Sequence, residues 1–179
     1  MARKVETMEE TTKTVTLQFL RSELLNDLDQ YGFVEGDVMK ADADHLKHGK
    51  HQTQDIAQDG NINLVTRWLD LALARCREAL FPYSKTPVVT DERDDILGVT
   101  QTYTIVLEVP EDFSQTTVDY LEQLIHHLMI WWVLYYWFSM TNPDGAAKWL
   151  ASAQATEEDI KGTLARRCGR TRRPVRPFS

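Results

Sequence analysis

The sequence has too few cysteines for a disulfide-stabilised fold. Only Cys76 and Cys168 are present, far apart and outside any C-x-x-C pair, so no disulfide framework is predicted. Cys76 lies in an amphipathic helical stretch and is interpreted as a small core residue. A reducing, intracellular setting is therefore expected.

A long hydrophobic run is also absent. The most apolar stretch, Leu128 to Phe138, has eleven residues, whereas a membrane-spanning helix needs about 20. The first residues, Met1 to Thr14, contain charges but no apolar centre, which is not the pattern of a signal peptide. We expect a buried helix here and no association with a membrane.

The catalytic motifs that a sequence can reveal are missing. There is no G-x-S-x-G, no P-loop and no glycine-rich dinucleotide fingerprint, so no catalytic residue, no cofactor and no enzymatic activity are predicted. A polar stretch has histidines and aspartates that zinc accepts as ligands: His45, His48, His51, Asp42, Asp44 and Asp55. Because Gly49 disfavours a stable helix there, a solvated loop is favoured and no metal site is predicted.

Acidic residues are absent from the last fourteen positions, residues 166–179. Removing the six arginines of this segment from the 20 basic residues leaves 14 against 27 acidic residues, a net charge of −13 for residues 1–165. The arginines are Arg166, Arg167, Arg170, Arg172, Arg173 and Arg176. A basic arm on an acidic body indicates binding, either to a protein groove or sheet edge or to nucleic acid; a merely solubilising end is the remaining interpretation.

Apolar periodicity predicts four helices, at residues 15–30, 62–80, 116–140 and 143 to about 167. In the first helix the inward face is Leu17, Leu20, Leu24 and Leu28, and Gly32 and Gly36 are expected to end it. In the second helix the inward stripe is Val65, Leu69, Ala72, Cys76 and Leu80. Asn142 and Pro143 are typical of a helix start.

The period changes between the second and third helices. Residues 99–109 alternate between apolar and polar, which is typical of a half-buried strand, and a β-hairpin over residues 86–109 is predicted. Residues 37–60 are polar and are interpreted as a loop or a weak helix. The predicted fold is mostly α (α+β): a bundle of about four helices in residues 1–165, with an inserted hairpin and an extended basic arm, residues 166–179.

The third predicted helix becomes apolar on every face near its end. Its aromatic residues are Trp131, Trp132, Tyr135, Tyr136 and Trp137. A helix that is apolar all round must be covered all round, and one small domain has difficulty supplying that cover. We therefore predict that these residues lie at a core or subunit interface; stacking on nucleic-acid bases is disfavoured because the run has no interleaved positive charge.

From residue 60 onward the predicted order is helix, β-hairpin, long aromatic helix, short turn, helix and basic arm. This order resembles the small head–tail connector (neck adaptor) proteins of tailed bacteriophages. The stretch WFSMTNPDGAAKWL at Trp137 to Leu150, with the following RRCGRTRRPVRP, resembles structural proteins from phage and prophage gene clusters. The resemblance covers about two thirds of the chain and rests on its architecture and its basic tail.

The resemblance implies a homo-oligomeric ring of about a dozen copies at the head–tail interface of the virion, assembled in the host cytoplasm. The partner would be the portal or an adjacent neck or tail ring, the arm would dock on it, and genomic DNA would pass through the lumen. An acidic body suits such a channel because like charge discourages adhesion of DNA.

Two other functions remain open from the residues. One is a small acidic nucleic-acid-binding or regulatory protein that uses the arginine-rich tail. The other is a metal-dependent enzyme built on the loop from His45 to His51.

Overall fold

The computed structural model describes residues 12–38, 51–81, 83–85 and 99–165. Its elements are strand β1 (Thr12–Leu20), helix α1 (Arg21–Val38), a short 3-10 helix (Asp55–Ala57), helix α2 (Ile62–Ala79), strand β2 (Thr102–Pro110), helix α3 (Gln115–Thr141) and helix α4 (Pro143–Leu164). The predicted fold class, mostly helical with a two-stranded antiparallel β element, is confirmed.

The prediction of a helix from residue 15 is wrong for its first part, because residues up to Leu20 form β1. Val15, Leu17 and Phe19 point inward and alternate with threonine and glutamine, so the segment has a two-residue period as well as leucines at helical spacing. β1 pairs antiparallel with β2, with Leu17 opposite Ile105. The odd-numbered side chains of β2 from Tyr103 to Val109 are buried against the helices, which explains the alternation seen in the sequence.

The prediction that Gly32 and Gly36 end the first helix is also wrong. Both glycines lie inside α1 and are buried, four residues apart, on the face that carries Leu24 and Leu28. A Cβ atom added to Gly32 would lie 2.8 Å from Cγ2 of Ile56. The glycines therefore permit the segment that contains Ile56 to pack closely on α1, and this contact offsets their poor helix propensity.

Helices α2, α3 and α4 agree with the prediction within a few residues. All five residues of the predicted inward stripe of α2 are buried without exposed area. α3 and α4 meet at Asn142, which occupies the predicted N-cap position, although its side chain makes no capping hydrogen bond. α4 ends at Leu164 rather than near residue 167, and the residues beyond 165 lie outside the described ones.

Two predicted segments lie partly outside the described residues. Of residues 37–60, the first two belong to α1 and residues 51–57 are helical, while 39–50 fall outside. Of the predicted hairpin, residues 102–110 form a strand that begins three residues later than the alternation at 99–109 predicts, and Val99 is 52% exposed. Residues 86–98 fall outside, and the described partner of β2 is β1. Across the described ranges, no helix has the length and apolarity needed to cross a bilayer.

Helix α3 lies at the centre of the fold. It packs most extensively on α4, and it also contacts α2 and α1. The strand pair closes one side of this bundle, where Lys13 donates a 2.6 Å hydrogen bond to the carbonyl oxygen of Phe113 just before α3. The other three helices therefore all pack on the aromatic helix.

Candidate interaction surfaces around helix α3

The predicted arm and most of the predicted metal-binding loop lie outside the described residues. The arm is residues 166–179, and the loop positions concerned include His45 and His48. His51 and Asp55 are described, and both are exposed. Among the described residues, no three histidine, cysteine, aspartate or glutamate side chains group closely enough to hold a metal ion.

Trp131 faces α1 and α4. Its ring stacks on Trp149 at a centroid distance of 5.2 Å and meets the edge of Tyr31 at 5.2 Å. Phe138, two turns later, stacks on the same Trp149 at 5.9 Å. Such ring pairs stabilise a contact by about 0.5–1.5 kcal/mol beyond the burial of area, so this face of α3 is covered from within the chain.

Trp137 is covered by the segment before α2. Its indole Nε1 donates a 3.0 Å hydrogen bond to the backbone carbonyl of Thr53, and its ring meets Trp68 of α2 at 6.3 Å. The indole is buried, with only 4% of its area exposed. Residues 51–57 thus cover part of the aromatic helix. The polar composition of residues 37–60 does not predict this packing.

Trp132 joins three helices. The guanidinium carbon of Arg75 on α2 lies 3.9 Å from the centroid of the Trp132 ring, which is a cation–π contact. The Nε1 atom of Trp132 donates a 3.2 Å hydrogen bond to Glu157 on α4. Tyr136 stacks on the same ring at 5.9 Å, and its hydroxyl is buried without a hydrogen-bond partner among the described residues.

The predicted interface residues therefore divide into two groups. Trp132 and Trp137 are buried within the chain, whereas Trp131, Tyr135 and Tyr136 keep part of their area exposed. The first two have little area left for a second subunit. An intersubunit role for the aromatic run stays a prediction, and it now concerns the three half-buried residues.

An exposed apolar groove lies between α2 and α3. Leu64, Leu71 and Met140 are between 39% and 58% exposed, with half-buried Trp68 and Tyr136 between them, whose rings are 6.0 Å apart. We call these five residues the α2–α3 groove. At the end near Leu64 and Met140 it widens into an open cavity of about 300 Å³ that reaches Trp137. The rest of the cavity lining is polar: Gln52, Asp55, Asn61 and Thr141.

A second exposed apolar surface lies at the end of α1. Phe33, Val34 and Val38 each expose more than half of their area, and we call them the α1 patch. Val34 and Val38 are four residues apart, on the face opposite to the buried glycines. Neither surface is predicted from the sequence, although the leucines of α2 that lie outside the inward stripe are a signal for the first.

The polar contacts between elements serve mainly to fix the bundle. Nε2 of His126 on α3 lies 2.8 Å from Oδ2 of Asp27 on α1, and Lys148 on α4 pairs with Glu35 on α1. Nη2 of Arg77 on α2 donates a 2.8 Å hydrogen bond to the carbonyl of Thr104 in β2. Each of these contacts joins two elements that are distant in sequence.

A polar junction lies where β1 passes into α1. The Arg21 guanidinium donates to the Thr66 hydroxyl at 2.9 and 3.2 Å. Nearby, the Tyr103 hydroxyl is buried without a partner in the described part of the chain. Burial, together with the negative charge of Asp70, raises the pKa of Tyr103, and Arg21 opposes the shift. Burial likewise raises the pKa of Asp70.

The environment of the Cys76 thiol disfavours its reactivity. The side chain has no exposed area, and burial, with a smaller effect from Glu157, raises the pKa of the thiol. Because the thiolate is the nucleophilic form, this environment disfavours reactivity. Cys76 therefore behaves as the core residue that the sequence predicts.

Comparison with known proteins gives no relative from which a function could be transferred. No protein-family model, no curated protein and no solved structure matches the chain.

Proposed function

We propose that the protein is a non-enzymatic structural subunit that forms an oligomeric ring at the head–tail junction of a tailed phage. The observation that carries the ring is the presence of two separate apolar surfaces, the α1 patch and the α2–α3 groove. Contiguous exposed apolar area of this kind on a small chain marks sites of association. The phage setting comes from the sequence resemblance alone.

The segment that carries the resemblance also has a structural role. Residues 137–150 form the corner between α3 and α4, where Phe138 stacks on Trp149 and the N–H of Asn142 donates to the carbonyl of Phe138 at 2.8 Å. This corner sets how α4 packs back on α3, and these are the two longest helices. A sequence with the same corner is expected to keep the same pair of helices.

In this proposal the arm docks on the portal or on a neighbouring ring. Fourteen extended residues reach about 46 Å at about 3.3 Å each, far enough to cross a neighbouring subunit. The six arginines suit carboxylate-rich surfaces because each guanidinium binds a carboxylate with two parallel hydrogen bonds. Genomic DNA would pass through the lumen.

Native mass spectrometry of the purified chain at micromolar concentration and moderate salt tests the ring. We expect a closed oligomer of about a dozen copies. A truncated chain that ends at residue 165 should keep its helical circular dichroism and lose attachment to the portal ring. A persistent monomer, or attachment that survives the truncation, would refute the corresponding part of the proposal.

The second candidate function is nucleic-acid binding through the arm, and the observation that favours it is the run of six arginines without an acid. Fluorescence anisotropy with a short duplex DNA over a salt series tests it. Six phosphate contacts predict a slope of about −5 in the logarithmic plot of affinity against salt. Truncation at residue 165 should abolish that binding, and a flat salt dependence would exclude this function.

A further inference from the structure

We propose that the α1 patch of one copy packs into the α2–α3 groove of the next copy, in a head-to-tail contact that repeats around the ring. The inference rests on the proposed ring-forming function and names the surfaces that join its subunits. It commits to a second copy of this chain as the occupant of the groove.

The two surfaces differ in shape in the way such a contact requires. The α1 patch is the outward face of a helix end, with Phe33, Val34 and Val38 projecting from it. The groove lies between two helices, and its cavity of about 300 Å³ is at the small end of the range for ligand pockets. A single large side chain such as Phe33 suits a cavity of that size better than a cofactor does.

Polar groups beside the cavity are already used within the chain. Asn61 donates to the carbonyl of Asp55 at 2.8 Å, and Thr141 donates to the carbonyl of Trp137 at 3.1 Å. The indole of Trp137 donates to Thr53. An incoming apolar side chain would leave these three groups paired, which keeps the cost of covering them low. Gln52 and Asp55 also line the cavity, and their side chains must stay at its solvent-exposed rim, since burying them unpaired would weaken the contact.

Charge is complementary across the proposed contact. The last turn of α1 contains no basic residue, and among the described residues Lys148 of α4 pairs there with Glu35. The negative end of the helix dipole favours further positive charge beside it. The groove side of α2 carries Arg67 and Arg75, four residues before and after Leu71. Neither arginine forms an ion pair with a described residue. Arg75 already packs on the Trp132 ring, so Arg67 is the arginine that would meet the end of α1 in the neighbouring copy.

Because the two surfaces are different, their contact is heterologous. A heterologous contact forms a ring when its rotation closes, whereas a contact of the groove with a second groove would stop at a dimer. The two arrangements give opposite results in a mixing experiment with surface variants. Val34→Lys disables the patch, and Leu71→Glu disables the groove; both positions are exposed helix surface, so the fold should survive.

Native mass spectrometry of each variant alone and of their equimolar mixture tests the contact, with circular dichroism to check folding. Each variant alone should lose the ring, with affinity weakened about thirty-fold or more, as for an interface hot spot. The mixture should regain association, because the intact groove of one variant accepts the intact patch of the other. Val106→Lys is the matched control, since Val106 on the solvent face of β2 is 46% exposed, the same fraction as Leu71.

Each outcome decides the proposal. Rings that persist in both variants would show that other surfaces join the subunits, which overturns the contact and leaves the proposed function standing. Loss of assembly in Leu71→Glu alone would indicate groove-to-groove dimers, and loss in Val106→Lys would point to the sheet; either result overturns the head-to-tail contact. A wild-type monomer would overturn the ring and the contact together.

Discussion

Replacing Tyr103 by phenylalanine should stabilise the protein. Tyr103 is fully buried in β2, opposite Phe19 of β1, and its hydroxyl has no hydrogen-bond partner among the described residues. The substitution removes one oxygen atom and keeps the ring, so it leaves the packing of the sheet on the helices unchanged.

The size of the effect follows from the state of that hydroxyl. A buried polar group without a partner costs about 1–3 kcal/mol of desolvation, whereas the loss of a satisfied hydrogen bond typically costs about 1 kcal/mol. The two situations therefore predict opposite signs. With the hydroxyl unpaired, Tyr103→Phe should raise the free energy of unfolding by about 1 kcal/mol.

Urea unfolding followed by circular dichroism measures this change, provided that the slope of the transition is the same in both proteins. Tyr120→Phe is the control, because Tyr120 is exposed on α3 and its change should stay within about 0.5 kcal/mol. A decrease of about 1 kcal/mol in Tyr103→Phe would refute the reasoning. It would mean that the hydroxyl is hydrogen-bonded, for instance through a buried water near Asp70.

The same residue makes a prediction for alkaline pH. Burial raises the pKa of Tyr103 above its usual value near 10, so the folded chain keeps its proton where the unfolded chain loses it. The folded state then binds more protons, and its stability must fall as pH rises through the unfolded value of the pKa. Tyr103→Phe should flatten this alkaline decline, and an unchanged pH profile would contradict the shift.

Two further predictions concern buried positions in the helices. Gly32→Ala should lower the free energy of unfolding by about 1–3 kcal/mol, because the new Cβ would lie 2.8 Å from the buried Ile56. Gly162→Ala in α4 is the control and should raise the free energy of unfolding by up to about 1 kcal/mol, because its new Cβ meets nothing within 4 Å. Equal changes in the free energy of unfolding for the two variants would contradict the packing of Ile56 on Gly32. In a Cys168→Ser background, Cys76 should react with a thiol reagent only as fast as the protein unfolds, and rapid labelling of the native protein would show that its thiol is accessible.

Sequence periodicity predicts the type of secondary structure correctly in segments that have a single period. The inward stripe of α2 was predicted residue by residue, and the inward face of β2 was predicted from Tyr103 to Val109, because each segment meets the core on one face. Val99, predicted to lie on the same inward face, is 52% exposed and precedes the strand. The run from residue 128 to 138 was assigned to a helix from its length and flanks. In these elements local pattern and tertiary packing agree, as they do in most natural sequences.

The first strand was missed because two periods overlap there. Leu17, Leu20, Leu24 and Leu28 match a helical spacing, yet only the last two share a helix, and Leu20 is exposed at the end of β1. Residues 12–20 form a strand rather than a helix because they pair with residues 102–110. That pairing joins segments about 90 residues apart, and no window of local sequence contains it.

The covering of α3 could not be predicted for a similar reason. The sequence indicates that the aromatic helix needs cover on every side, but it does not show that Tyr31, Trp149 and the carbonyl of Thr53 lie against it. Glycines that looked like helix stops allow residues 51–57 to approach α1. The misassigned pair of glycines therefore placed the end of the first helix too early.

The division of charge limits how copies of this chain can associate in the proposed ring. Without its arm the body has a net charge of −13, and with the arm the chain has −7. The Debye length is about 8 Å at physiological salt, so repulsion between bodies acts mainly where their surfaces come close. Attraction at such a contact must then come from short-range apolar packing, which the α1 patch and the α2–α3 groove supply. In the proposed ring, the positive charge of the arm lowers the net repulsion between neighbouring copies and favours an acidic partner.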